Sequence, residues 1–539
     1  MKRIAASLLA WICLAVPAFA QHETHAGAAS TERLGTVRFE TSCSPEVKSD
    51  FNRAVALLHS FEFRSAIEAF TGVLARDSRC AIAYWGIALS YWSNPFGGVR
   101  STDALKQGRA AVEKGRTTGS PTPRERAYIE AAAVLFEQFE TVSQRDRILA
   151  YERAMRQLAQ AHPDDVEASI FYALALNQTA LPTDKTYAAQ LKAGAMLEPL
   201  FAKYPDHPGL AHYIIHAYDH PPLAAKALDA ARRYAKIAPS APHALHMPSH
   251  TFTRVGYWAD SVATNKASEQ TALKQNVMGE ALHAMDYQTY AYLQMARDRD
   301  ARAVLDRLPG VVAKFDPTAI GGAAPGMAGL FAMTAIPARY ALERGAWIEA
   351  AELPVPSAGT PFTIAMAHYA RAIGAARSGR PAAAGPDLQQ LAVLRDQLRE
   401  LKDTYWEEQV DIQRRVAAAW VAFADGRRDE GIRMLREAAD AEDATDKSAV
   451  TPGPLAPARE LLGDMLLEAG RAADALREYE ATMAKEPGRF RGASGAARAA
   501  EAAGDRARAR QYYQRLLQIA SGSDGARPEL QRARAFLNQ

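Results

Sequence analysis

The chain has 539 residues, with 64 Lys and Arg against 61 Asp and Glu and a formal net charge of +3. Such balance supplies no general field for nucleic acid or an anionic membrane, so neither is expected as a partner. Ala, Leu, Arg and Glu dominate and runs of β-branched residues are scarce, which points to an all-α protein.

The first element, "MKRIAASLLAWICLAVPAFA" (1–20), joins a basic start to an apolar run and a closing Ala18-Phe19-Ala20. It is expected to be a secretory signal peptide cleaved after Ala20. The apolar run is too short to span a bilayer and no second long one follows, so no transmembrane anchor is expected. Ile12 stands before Cys13 where a lipoprotein signal wants a small residue. Removing Lys2 and Arg3 leaves 62 basic and 61 acidic side chains. Residues 21–40, which begin "QHETHAGAAST", are expected to be a disordered leader to a periplasmic or secreted chain.

Cys43 and Cys80 are then the cysteines of the mature chain. In an oxidising compartment the pair reads as a disulfide, the alternative being two thiols buried as small hydrophobes. Two cysteines are too few for a cysteine zinc site. "SFEFRSAIEAF" (60–70) holds a turn and a second helix, and "AIAYWGIALSYW" (81–92) the next first helix, with Trp85 in it. Further units end at Pro163, Pro205 and Pro239. Pro205 and Pro239 are 34 residues apart, whereas Pro163 to Pro205 spans 42 and carries "LPTDKTY" (181–187) as an inserted loop.

Eight of the thirteen histidines lie between His207 and His283. Three fall in "HALHMPSHTFTRVGYW" (243–258), with Pro248 between His246 and His250. A proline there removes a helical hydrogen bond, so the helix either kinks or begins at Pro248 after an extended "PHALHM". The first array occupies 41–315. "DPTAIGGAAPGMAGLF" (316–331) is a Gly/Pro/Ala-rich connector, with a mobile lid as the alternative. A second array fills 332–535, where Gly345, Trp347 and Gly426 mark turns between helices.

The C-terminus carries the clearest repeat. In "LLGDMLLEAGRAADALREYEATMAKEP", Leu462-Gly463 precedes Leu466, Gly470, Ala475, Tyr479 and Pro487, and Gly504, Ala509 and Tyr513 repeat the pattern. Gly470 and Gly504 are 34 residues apart. These spacings resemble the tetratricopeptide-repeat family. The resemblance implies a right-handed superhelical solenoid of antiparallel helix pairs, each burying one face on its neighbours.

It also implies where the histidines point. In that family one stripe of each first helix is buried and a second lines a concave ligand groove. The second stripe takes His212, His216, Asp219 and His220 from one unit. From the next it takes His243, His246, His250, Thr253 and Arg254, and from a looser third unit His283, Asp286 and Tyr290. Trp85 and Trp420 fall on the same stripe in other units. Chaperone-binding members clamp a peptide carboxylate there with Lys, Asn and Arg; His and Asp in their place imply a different ligand.

Three readings of the cluster follow. Single histidines on helices are most often packing residues, but eight on one repeated face are harder to explain so. The second reading, the usual function of the family, is an exported scaffold that binds a partner protein, peptide or small ligand in the groove. The third is a transition-metal site. His212 and His216, and His246 and His250, are two i,i+4 pairs expected to converge on one divalent ion (Zn, Cu, Fe or Ni), with Asp219 and Asp286 holding the far ring nitrogens. Metal binding would open the way to a metal-dependent enzyme. Without an HExxH helix, a Ser-His-Asp set, a P-loop or a dinucleotide fingerprint, catalysis is not the expected role.

Overall fold

A computed structural model describes residues 32–319, 322–324, 326–525 and 527–539. The expected signal peptide (1–20) and most of the expected leader lie outside the described residues. From Arg33 to Gln539 the chain forms one unit, built among the described residues of α-helices and short 3₁₀ turns with no strand. Successive helices pair antiparallel through short turns. Lys48–His59 packs on Phe63–Arg76, Pro208–Ala217 on Leu228–Ile237, Trp258–Lys274 on Met278–Gln294, and Ala458–Glu468 on Ala472–Lys485. No helix among the described residues is long and apolar enough to cross a membrane.

Local chemistry explains these boundaries. Gly470 and Gly504 end the first helices of their pairs with φ of +77° and +79°, a left-handed conformation that costs a side-chain-free residue nothing. Pro248 splits what would be one rod into Pro242–His246 and Pro248–Val255, with Met247 still in the right-handed helical region at the joint. The helix therefore kinks, and the extended lead-in is excluded: His243 and His246 stay on a helix face.

The arcs close on themselves. The first helix, Lys48–His59, meets Pro208–Ala217, where His59 Nδ1 lies 3.0 Å from the Tyr213 hydroxyl. Further on, Met278–Gln294 meets Phe490–Ala502. There Trp258 donates its indole N–H to Gly488 O (2.8 Å), and buried Arg489 donates to Tyr290 Oη, Glu343 and Glu460. At these two places the inner face is packed, while a pocket lined by Phe331, Tyr369, Tyr405, Trp406 and Glu442 stays open between helices of the second half.

Two expected segments differ. Leu34, Val37 and Phe39, within the expected leader, are buried, and Phe39 packs against Phe51, Trp85 and Tyr128. Their apolar side chains and the Thr36 N–H bond to Asp206 O tie this stretch down. The connector is cut short by a helix, Gly326–Leu342, that begins within it. Cys43 and Cys80 form a disulfide, with Cα atoms 4.7 Å apart.

Candidate metal centre

Six buried histidines meet where three consecutive first helices run side by side. Pro208–Ala217 carries His212 and His216; the kinked pair Pro242–His246 and Pro248–Val255 carries His243, His246 and His250; Met278–Gln294 carries His283. Spacings of three, four and seven residues put the side chains of each helix on one face.

They sort into two trios. His212, His216 and His243 form one, and His246, His250 and His283 the other, each with its ring nitrogens within 4.8 Å of one another. The expected four-histidine set of His212, His216, His246 and His250 on one ion is not the grouping that forms. The kink lets His243 turn towards His212 while His246 and His250 turn towards His283. His212 Nε2 and His243 Nε2 are 3.1 Å apart, and His246 Nε2 and His250 Nε2 are 3.0 Å apart. Between the trios, ring centroids are 5.9 Å apart for His243 and His246 and 6.2 Å for His216 and His250.

Three of the rings are held from behind. His212 Nδ1–H donates to His59 O (2.6 Å). His246 Nδ1–H donates to Asn265 Oδ1 (2.7 Å), whose amide N–H is in turn held by Ser261 O. His250 Nδ1–H donates to Asp219 Oδ2 (2.8 Å). Each bond fixes the tautomer that leaves a lone pair on Nε2 pointing inward. Asp219 is held by Arg254 (2.8 Å) and Lys447 (3.3 Å). Burial opposes its charge, but Lys447, Arg254 and His250 hold the carboxyl well below its usual range.

Burial pushes the imidazoles of His212, His216, His246 and His283 well below their usual pKa, and neighbouring imidazoles add to the effect. His250 is lowered to about 4 by burial, with Asp219 opposing. These five rings are therefore neutral at ordinary pH. His216 Nε2, His243 Nδ1, His283 Nδ1 and Glu280 Oε2 are buried without a hydrogen-bond partner among the described residues.

Loops from distant parts of the chain close the site. Asn94, Phe96 and Gly97, then Ala323 and Ala324, then Ala449 and Val450 line the cavity with His216, His243, His250 and His283. Asn94 donates to Ala323 O (2.9 Å). The segment 445–457 straps the histidine helices. Asp446 binds His220 and Lys185, Lys447 reaches Asp219, and Thr451 O accepts from Tyr287 (3.2 Å). The remaining space, about 20 Å³, takes one or two non-hydrogen atoms.

Other expected site residues lie elsewhere. Trp85 is fully buried among Phe39, Tyr128 and Phe171, away from the histidines, and Trp420 is buried beneath Arg377. Asp286 does not reach the trios: it forms a buried ion pair with Arg339 (2.8 Å). Tyr290 bonds to Glu486 and Arg489, and Thr253 to Ser261, while Arg254 joins the centre indirectly through Asp219. Sequence reasoning missed Asn265, Tyr287, Glu280 and a third cluster, in which Glu167 bridges His59 (2.8 Å) and His207 (3.0 Å). In that cluster every ring nitrogen has a partner, so it positions His212 through His59 O.

No family model matches the chain, and no curated protein does. Among solved structures the fold is similar to the human IFIT1 dimer with m7Gppp-AAAA, at 10% identity and a TM-score of 0.38, covering 82% of this chain and 90% of that one. It is also similar to the human IFIT1 dimer with PPP-AAAA, at 11% identity and a TM-score of 0.35, covering 90% and 98%. These values are too low to bear on ligand or activity.

Proposed function

We propose that this is an exported helical-repeat protein whose buried polyhistidine centre binds a transition metal. One observation carries the reading. His246 and His250 both spend their Nδ1 proton on outside acceptors, so their Nε2 lone pairs face each other at 3.0 Å. Two acceptors at that distance repel unless a positive centre lies between them. Imidazole nitrogens bound tetrahedrally at ~2.0–2.1 Å would sit ~3.3 Å apart, close to what is seen.

The donor set narrows the metal. Each trio offers three imidazoles and no carboxylate or thiolate. Imidazole suits Zn, Cu, Ni and Fe, whereas Ca and Mg demand oxygen. A peptide or protein ligand has no room at the histidines themselves, because the inner face of the arc is filled there. The test is elemental analysis of tag-free protein, followed by reconstitution with Zn, Cu, Ni and Fe in turn. Stoichiometric metal that is lost in His246→Ala plus His250→Ala supports the reading; no retained metal after any reconstitution overturns it.

A further inference from the structure

Six inward imidazoles are more than one ion can use. A four-coordinate ion takes at most four, and donors on one ion are at most ~4.2 Å apart. One ring nitrogen from each member of a trio lies within 4.8 Å of the other two, and the six histidines group three and three on that basis. Ring centroids of different trios stand 5.9 and 6.2 Å apart, no farther than His216 from His243 or His250 from His283 within a trio (6.3 Å each), so the two trios adjoin and face one cavity. The cavity between them has room for one or two atoms.

We infer that the centre is dinuclear and takes two copper ions, one per histidine trio, joined by a small bridging oxygen ligand of the hydroxide class. The inference rests on the metal reading above and goes beyond it in ion number, metal and bridge. Three imidazoles would leave each ion an open position, and the cavity is lined by His216 and His243 of one trio and His250 and His283 of the other. Copper is favoured because an all-nitrogen set follows the affinity order that peaks at copper, and because no carboxylate joins either trio, as di-iron and di-manganese centres require. Two divalent ions carry four positive charges in a buried site. Glu280, with Oε2 unpartnered 3.8 Å from His243 Nδ1, is one nearby anion; an anionic bridge supplies more compensation.

The test uses full-length, tag-free protein loaded with cupric sulfate alone and then desalted. Copper is counted by mass spectrometry and unpaired spins by electron paramagnetic resonance. The parent is expected to hold two copper ions with much less than the full two-spin signal, because a bridge couples them. His216→Gln plus His243→Gln cuts only the first trio; the unpartnered nitrogens of both residues make it a mild change to the scaffold. That variant should bind half the copper and show a larger signal per chain than the parent. Circular dichroism checks that it folds, and His283→Gln plus His250→Gln repeats the test on the second trio. One copper per chain in the parent, or two with full independent signals, overturns the dinuclear proposal alone. Two zinc ions with no retained copper overturn the copper assignment. No metal of any kind overturns the metal reading beneath it.

Discussion

Asn265 is buried and hydrogen-bonds to His246 Nδ1 at 2.7 Å, with its own orientation set by Ser261 O. It decides which nitrogen of His246 faces inward. Asn265→Ala should weaken metal binding by about 10–100-fold, the usual cost of losing such a partner, as read by chelator competition. Unchanged affinity would mean that His246 is not a ligand. Glu442 governs a different property. It is buried at the end of the helix Arg428–Ala444, where its carboxylate accepts the Ala458 N–H (2.9 Å). Burial raises its pKa from 4.5 to about 7, with Lys485 opposing and Glu486 and Asp443 adding to the rise. The folded state then binds the proton more tightly than the unfolded chain. This stabilisation is full below pH 4.5 and is lost as pH rises through about 7. The shift corresponds to about 3 kcal/mol as an upper figure. Urea unfolding of Glu442→Gln across that window should show a flatter pH dependence than the parent; an identical slope would place the pH effect elsewhere.

At the scale of elements, the disulfide joins the start of the first helix to the start of the third, across 37 residues. Cys43→Ser plus Cys80→Ser should lower unfolding free energy by about 4 kcal/mol on the chain-entropy argument, measured by urea denaturation, with the helical signal retained at low temperature. A loss well under 1 kcal/mol would show that the unfolded chain is already constrained there. Elements were legible in the sequence where their cause is local. The turn glycines Gly470 and Gly504 and the i,i+4 histidine pairs depend on neighbours within a few residues and lie where they are expected, whereas Pro248 signals a break whose form, a kink rather than an extended lead-in, only the structure decides. Partnership across helices was not legible. Which histidine joins which trio depends on how far the kink turns His243 from His246. Asp286 was assigned to the histidines, but Arg339, from a helix 53 residues on, takes it instead. Trp85 shares the repeat position of a groove residue yet is covered, because the first arc closes and Phe39 folds over it.

For the whole molecule, contacts across the inner face leave the histidines lining a small cavity, and the strap 445–457 supplies part of its wall through Ala449 and Val450. Lys447→Ala plus Thr451→Ala removes two of the strap's anchors, to Asp219 and Arg339. Release of metal to a strong chelator should become faster by an order of magnitude or more, while stoichiometry stays the same; an unaltered release rate would show that metal leaves by another route. The strap also imposes an order in time. Lys447 follows its partner Asp219 by 228 residues, so a chain growing from its N-terminus exposes every histidine long before the wall that covers them exists. During that interval the imidazoles face water and any ion they meet exchanges freely. If the centre binds a metal as proposed, capture would become durable only when the late segment docks, and the bound ion would in turn oppose the strap's departure. A ligand at a thousand times its dissociation constant adds about 4 kcal/mol to the closed form. On the proposed metal reading, chain completion and metal retention would coincide, and a chain stopped before the strap is expected to lose metal to a chelator that the full chain resists.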